Sequence, residues 1–292
     1  MNEQIKDYSS ISPSAQTLLW MKALTDIPFA REAAKLIFGE EALPTEMDER
    51  VTDHFLKRLL HFETRYWSIN TALDMMGISN VLELSSGFSF RGLNKVLYED
   101  AFYIDTDLPE VIEVKETLLK PLLRTLQEHS IGQLLLKPLN VMDADAFFET
   151  GRRFPPGPLA IINEGLLVYL EEAEKRKLCA TIRTVLEQRG GYWITADIYV
   201  KNRKEETLSL AAAVSPSISK FLADHRVEEN KFDSFAGAES FFLGCGLKLA
   251  HKAVPDVNML RSMELIKSRS TKDTTQVTRQ RIRETWILEV LR

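Results

Sequence analysis

The residues best able to do chemistry in this chain are carboxylates at the ends of short apolar runs. Val81 to Leu93, VLELSSGFSFRGL, reads as a strand, an acidic residue, a tight turn and a helix start. Such a turn lets a ligand approach the backbone at the positive end of a helix, which makes Glu83, Ser85 and Gly87 binding candidates. Tyr103 to Val111, YIDTDLPEV, ends a second run in Asp105 and Asp107. A carboxylate at this place accepts both ribose hydroxyls of an adenosine. Either aspartate fits, and the other then serves as a cap ahead of Pro109. A third carboxylate, Glu164, follows Ala160-Ile161-Ile162-Asn163. A charge at the end of so apolar a strand needs a ligand or a partner.

The glycines narrow the ligand. Dinucleotide sites use three spaced glycines because a pyrophosphate must lie against the backbone. Here the turn has Gly87 and then Gly92, crowded by Ser85, Ser86, Phe88 and Phe90. That suits an adenosine cofactor without phosphates. S-adenosylmethionine is one, with an amino-acid end that needs a cation for its carboxylate and acceptors for its ammonium.

Other chemistries lack their residues. Histidines 54, 61, 129, 225 and 251 show no metal-ligand spacing and read as solvated or core-edge, so no metal is expected. Gly87-Phe88-Ser89 begins like a nucleophile elbow, but Arg91 stands at its fifth position and no Asp…His order follows. No Walker sequence is present. A net charge of -5 and a sequence pI near 5.7 argue against nucleic acid, which needs a basic face. The densest basic cluster, Lys201 to Lys204, is followed by Glu205 and Glu206 and reads as solvated surface.

Cys179 and Cys245 are expected as reduced thiols of a cytosolic protein. The start MNEQIKDYSS lacks the basic and apolar parts of a signal peptide. No uninterrupted apolar run is long enough to span a membrane. The expectation is a cytoplasmic protein whose partner is a small-molecule acceptor, with its oligomeric state open.

Elements of two kinds must position these residues. The first part of the chain reads as helices over Thr17 to Leu24 and Ala30 to Phe38, broken at Ile27-Pro28. A third starts near Thr45, with Asp48 as a capping signal. Val51, Phe55, Leu59 and Phe62 share a helical face, and a further helix or its continuation runs through Arg65, Ile69, Leu73 and Met76 to Gly77. From Asn80 strands alternate with helices: Val81 to Leu84, Ala101 to Ile104, Gln133 to Leu139, Leu159 to Ile162 and Tyr192 to Ala196. Helices fall over Val111 to Leu126, with a kink at Pro121, and over Glu171 to Gln188. This alternation implies right-handed crossovers and a parallel sheet. A polar, mostly helical insert follows at about 201–235, then a helix through Phe241 and strands Leu247 to Val254 and Thr285 to Leu291.

Ile161 to Leu170, IINEGLLVYL, resembles the leucine carboxyl methyltransferase family, and within it a bacterial branch of polyketide O-methyltransferases similar to the tetracenomycin carboxyl methylase. The likeness takes in Thr64-Arg65-Tyr66, residues 83–92, Asp107-Leu108-Pro109, Asn140-Val141-Met142-Asp143 and Trp193 to Asp197, in family order, over about Ser14 to Asp197. It implies a class I methyltransferase-like fold: an α/β, doubly wound, seven-stranded sheet. An N-terminal helical cap (1–79) would precede an S-adenosylmethionine-binding domain (80–292) carrying a helical insert at about 198–236, the whole expected as one compact unit. Arg65 would take the methionine carboxylate. Gly87 would admit the methionine moiety and Asp107 would hold the ribose. Asn140 and Val141 stand where the family has Asp-Leu beside the adenine, with Asp143 as the substitute. Glu164 would face the ammonium and the sulfonium.

Read without the resemblance, Arg65 is a surface residue of its helix and Tyr169 is core packing. With it, Tyr169 and Asn163 are candidates for positioning the acceptor. Methyl transfer needs alignment and exclusion of water. A carboxylate acceptor needs no general base, whereas a phenol does. With no obvious catalytic histidine or lysine, the pattern leans to a carboxylate of a polyketide-like metabolite, with a hydroxyl as the other choice. Two further functions stay open: an NAD-dependent oxidoreductase on a Rossmann-like sheet, and a cofactor-binding regulatory protein without catalysis.

Overall fold

The computed structural model describes residues 12–125, 130–201, 226–269 and 282–292. Seven strands form one sheet: β1 (Asn80–Leu84), β2 (Phe102–Asp107), β3 (Gln133–Pro138), β4 (Leu159–Asn163), β5 (Gly191–Tyr199), β6 (Leu247–Ala253) and β7 (Arg283–Val290). Their order is β3-β2-β1-β4-β5-β7-β6. The first five are parallel, as the strand–helix alternation requires. The last strand, β7, is antiparallel to both β5 and β6. β6 holds the edge of the sheet and β7 lies between it and β5, an antiparallel pairing that requires no crossover connection. Chain order reverses between β1 and β4, where open sheets leave a crevice at their carboxyl edge.

Both faces of the sheet are covered, which is why its inner strands are almost continuously apolar. Helix α3 (Asp53–Met76) lays Ile69, Ala72 and Leu73 on Val81, Tyr103, Ala160 and Ile194. On the other face, Leu178, Ile182 and Leu186 of α7 (Glu172–Arg189) and Phe242 of α8 (Phe235–Gly244) meet Leu82, Leu84, Ile161 and Trp193. Thr52 opens α3 by accepting from the Phe55 amide, and Gly77 closes it at φ 59°. Hence α3 starts at Thr52 rather than near Thr45, and it is one helix to Met76. Asp48 is used instead in its own turn, where it accepts from the Arg50 amide.

Two shorter helices, α1 (Ser12–Lys22) and α2 (Ala30–Phe38), pack with Phe88 and Phe90 of the β1 turn and with α5 (Pro109–Thr125), which continues through Pro121. That packing brings the end of α1 over the carboxyl edge. Completing the helices are α4 (Arg91–Tyr98), α6 (Ala144–Gly151) and α9 (Arg261–Arg269). The last was not foreseen. Its first amides, from Arg261 and Ser262, donate to Glu63 of α3, a carboxylate well placed at a helix N-terminus. Most of the expected insert, 202–225, lies outside the described residues, as do His129 and His225. Among the described residues no helix is long and apolar enough to cross a membrane.

Candidate cofactor site

On the β1–β2 side, the turn after β1 is built under strain. Ser85 has φ 50°, costly for a residue with a Cβ, and Gly87 has φ 53°. Two bonds stitch this turn to β2: the Ser86 amide donates to the Thr106 carbonyl (3.0 Å), and the Thr106 hydroxyl donates to the Glu83 carbonyl (2.7 Å). Asp107 then accepts from the Gly87 amide at 2.6 Å and from the Leu108 amide at 2.7 Å, one bond to each oxygen. Each oxygen keeps a lone pair for a ribose hydroxyl. Burial pushes the Asp107 carboxyl above its ordinary pKa, and these two amides oppose the rise.

Asp105 has a different fate. Its carboxylate sits 2.7 Å from Lys115 Nζ, deep in the core, and the same ammonium donates to Ser86 Oγ at 2.9 Å. Of the two aspartates, therefore, Asp107 is the one whose carboxylate stays at the edge. Glu83 is 1% exposed and accepts from Tyr103 Oη (2.6 Å) and Arg91 Nε (3.4 Å), so it forms the floor of the turn. The Leu139 amide donates to the Asp107 carbonyl (2.8 Å), which sets the 139–143 loop beside Asp107. In that loop Val141 is buried, Asn140 accepts from the Met142 amide at 3.0 Å, and exposed Asp143 caps α6 through the Ala146 amide at 3.1 Å.

Across the crevice, Glu164 gathers three cations just past β4. Lys22 Nζ lies at 3.0 Å and Arg65 Nε at 3.2 Å from Oε1, and Arg91 Nη2 at 2.8 Å from Oε2. Gly165, at φ 83°, makes this approach feasible, since a Cβ there would stand 3.3 Å from the Arg65 guanidinium. Asp197 of β5 fixes the loop by accepting from the amides of Gly165 (2.7 Å), Leu166 (2.6 Å) and Leu167 (3.1 Å).

Asn163 completes that anchor rather than facing the crevice. Its Nδ2 donates to Asp197 at 2.7 Å and its Oδ1 accepts from Trp193 Nε1 at 2.7 Å, at 0% exposure. It can position a ligand by way of Asp197, not by touching it in this conformation. Tyr169 is half-buried, in a turn of 3-10 helix over Leu167–Tyr169, and faces Arg58.

Burial alone would raise the Glu164 carboxyl, but Lys22, Arg65 and Arg91 hold it well below the ordinary range. Burial likewise opposes the charges of Arg65 and Arg91. Tyr199, Glu164 and Asp197 around Arg65, and Glu83, Tyr66 and Glu164 around Arg91, overcome it and keep both firmly protonated. For Lys22 burial wins over Glu164, and its pKa falls. Counting Asp197 and Arg283, which act here at longer range, four cations (Lys22, Arg65, Arg91, Arg283) face three carboxylates (Glu83, Glu164, Asp197), which leaves one positive charge over. This is the sign that an amino-acid carboxylate needs. Glu164 uses three of its roughly four lone-pair positions, so one remains for an ammonium.

Lys22, Arg91 and Asp197 join the candidate site without having been named for it from the sequence. Arg91 and Asp197 lie inside the quoted motifs without a role attached, and Lys22 carries no local signal at all.

No protein-family model and no curated protein matches the chain. Solved structures with similar architecture include a SAM complex of LepI, at 11% identity over 73% of this chain and TM-score 0.45. The chain spans 43% of the length of that protein. Others are a DUF574 family protein from Streptomyces avermitilis (13% identity, 96% of this chain and 99% of that one, TM-score 0.49) and the magnesium protoporphyrin IX methyltransferase of Synechocystis with bound SAH (9% identity, 90% and 94%, TM-score 0.47). Such likeness goes no further than fold, and the chemistry has to be read from this chain's own residues.

Proposed function

We propose that the chain is an S-adenosylmethionine-dependent O-methyltransferase of a small molecule, akin to the bacterial branch of the leucine carboxyl methyltransferase family. The observation that carries this reading is the pairing of two unlike ends across the β1/β4 crevice. Asp107 offers two free lone pairs beside a tight turn, and Arg65 with Lys22 offers surplus positive charge beside Glu164. An adenosyl amino acid has the matching ends. Asp107 would hold the ribose, with Gly87 admitting close approach and Ser85 and Glu83 shaping the turn. Asn140 and Val141 would flank the adenine, with Asp143 as the alternative. Arg65 and Lys22 would take the methionine carboxylate and Glu164 the ammonium.

A pyrophosphate fits less well, because the Gly87 amide it would need is already bonded to Asp107. The bound donor supplies an activated methyl group. The chain's own task is to orient an oxygen acceptor, a carboxylate or hydroxyl of a polyketide-like compound, and to keep water out. Tyr169, at the mouth of the β4 loop, is a candidate for that orientation. Calorimetry with S-adenosylhomocysteine tests the reading. Binding that weakens roughly tenfold to a hundredfold in Arg65→Ala is expected; no heat of binding with the thioether or with its sulfonium parent would overturn it.

A further inference from the structure

From sequence, every histidine reads as peripheral, and the lean toward a carboxylate acceptor follows from that. The fold moves one of them. His61, on α3, places Nε2 2.8 Å from the hydroxyl of Tyr199 on β5, with ring centroids 5.6 Å apart. That same hydroxyl is 3.4 Å from Nη1 of Arg65, whose Nε holds Glu164. A continuous chain, His61–Tyr199–Arg65–Glu164, thus runs from the methionine end of the site to a titratable pair at the carboxyl edge of the next strand.

A phenolic oxygen has one hydrogen and two lone pairs, and a guanidinium can only donate. Arg65 therefore uses one lone pair of Tyr199. When Tyr199 donates to His61, its second lone pair is left to accept a hydrogen from an incoming hydroxyl. The surroundings favour an oxyanion there. Arg58 and Arg65 of α3, Arg283 of β7 and Lys231 of the segment before α8 face His61, while Asp197 and Glu164 lie behind Arg65. Arg283 is largely buried, and its partners among the described residues are neutral: the Ala196 carbonyl (3.2 Å) and the Thr285 hydroxyl (2.8 Å). Asp197 and Glu164 act on Arg283 from longer range, and of its five donor hydrogens some remain for an oxyanion. Burial and these cations keep the His61 imidazole neutral, well below its ordinary pKa.

We propose that Tyr199 and His61 form a proton-accepting pair for the acceptor, and that the acceptor is a phenol-type hydroxyl rather than a carboxylate. This rests on the methyltransferase reading above. The acceptor O–H gives its hydrogen to Tyr199 Oη while the Tyr199 hydrogen passes to His61 Nε2. The acceptor oxygen keeps the electron pair of the broken O–H bond and is left as an oxyanion beside Arg65 and Arg283. His61 becomes imidazolium and returns the proton to water as product leaves. Tyr199 is the catalytic residue of the pair, and His61 acts through it. Burial, the larger cause of the weak basicity of His61, disfavours both charged forms, whereas the cations that depress it further also acidify the phenol and so bring the two groups closer.

The test uses 4-nitrophenol as probe and benzoate as its carboxylate counterpart, on the full chain with S-adenosylhomocysteine. Absorbance reads ionisation of the bound phenol, and nitrogen NMR of labelled histidine reads His61. The expected result is about tenfold more phenolate on the protein than in solution at a pH below the free probe's pKa, with His61 turning to imidazolium as it forms. Tyr199→Phe and His61→Gln should each remove the excess. Glutamine still hydrogen-bonds Tyr199 but takes no proton, so a purely positional histidine would leave the excess intact. The proposal is overturned by a phenolate excess that survives H61Q, by a His61 that stays neutral beside bound phenolate, or by binding of benzoate but not nitrophenol. Calorimetry on the same samples separates the two levels. Loss of S-adenosylhomocysteine binding by the unaltered chain sinks the methyltransferase reading, whereas retained binding without phenol ionisation sinks the proton pair alone.

Discussion

The two sides of the crevice handle charge in opposite ways. Beside β1 and β2 each carboxylate is met locally: Asp105 by Lys115, Asp107 by two amides, Glu83 by Tyr103 and Arg91. Past β4, one carboxylate faces three cations. The spans differ as well. Gly87 and Asp107 are 20 positions apart, whereas Glu164 reaches 142 positions to Lys22, 99 to Arg65 and 73 to Arg91. The first side grips through the geometry of a contiguous motif. The second exists when the helical N-terminus, α3 and the sheet have all docked, so ligand binding there is coupled to the whole fold.

Removing the hub of the second side should have the largest effect. Glu164→Ala removes the ion pair of Lys22 and one partner each of Arg65 and Arg91 in a buried site, and breaking a buried pair costs about 3–5 kcal/mol. Urea denaturation should show a loss of that size; a loss near that of an exposed ion pair, under about 1 kcal/mol, would erase the contrast between the two sides. The same contrast predicts a biphasic acid titration. Glu164 has a depressed folded pKa, so its contribution is fully present above the ordinary glutamate range and is lost progressively as pH falls from that range through the lowered value. Burial raises Glu83, Asp105 and Asp107, so protonating them favours the folded state as pH falls through their raised values. Urea midpoints should hold or climb on first acidification and then drop, and Glu164→Gln should lack the late drop.

A second comparison separates the ends of the ligand. Losing a charged hydrogen bond costs about 1.5–3 kcal/mol, or roughly tenfold to a hundredfold in affinity. Arg65→Ala should weaken S-adenosylhomocysteine by that factor and leave methylthioadenosine, which has no amino-acid end, nearly unaffected. Asp107→Asn should weaken both. Equal losses of the two ligands in both variants would show that the crevice does not divide its work as its charges suggest.

The same division decides what could be read from sequence. The strands, the β1 turn and the aspartate at the end of β2 are local patterns, in which apolar runs end in turn residues and carboxylates. The residues alone leave Asp105 and Asp107 open and the family likeness favours Asp107; the physical reason, Lys115 of α5 holding Asp105, needed the structure. The Glu164 cluster was half legible. The glutamate stands out at the end of an apolar strand, and Arg65 entered through the family likeness. Lys22 is an unmarked lysine near a helix end. Its role comes from α1 and α2 packing over Phe88 and Phe90, which no window of sequence contains. His61 is half-buried, as a core-edge histidine should be, but its pairing with Tyr199, 138 positions away, was not legible for the same reason. The antiparallel β7 could not be told from a parallel strand, because both bury the same apolar run.

The smallest predicted effect bears on the adenine end. Asp143 is exposed and its Oδ1 is bonded to the Ala146 amide at the start of α6, a cap whose loss costs about 1 kcal/mol. The loop that carries it is tied to Asp107 through Leu139, so Asp143 stands near the ribose end whether or not it touches the base. Capping occupies one of its oxygens and leaves the other able to accept from an amino group. Asp143→Asn keeps a capping side chain and removes the charge; Asp143→Ala removes both. A pure cap predicts lower stability in the alanine variant alone, with methylthioadenosine affinity unchanged in either. An adenine contact predicts weaker methylthioadenosine binding in both, by a factor of a few, beyond what the small stability loss accounts for. In that second case the exposed edge beside α6 belongs to the site, and the first side of the crevice extends one strand farther, to the end of β3.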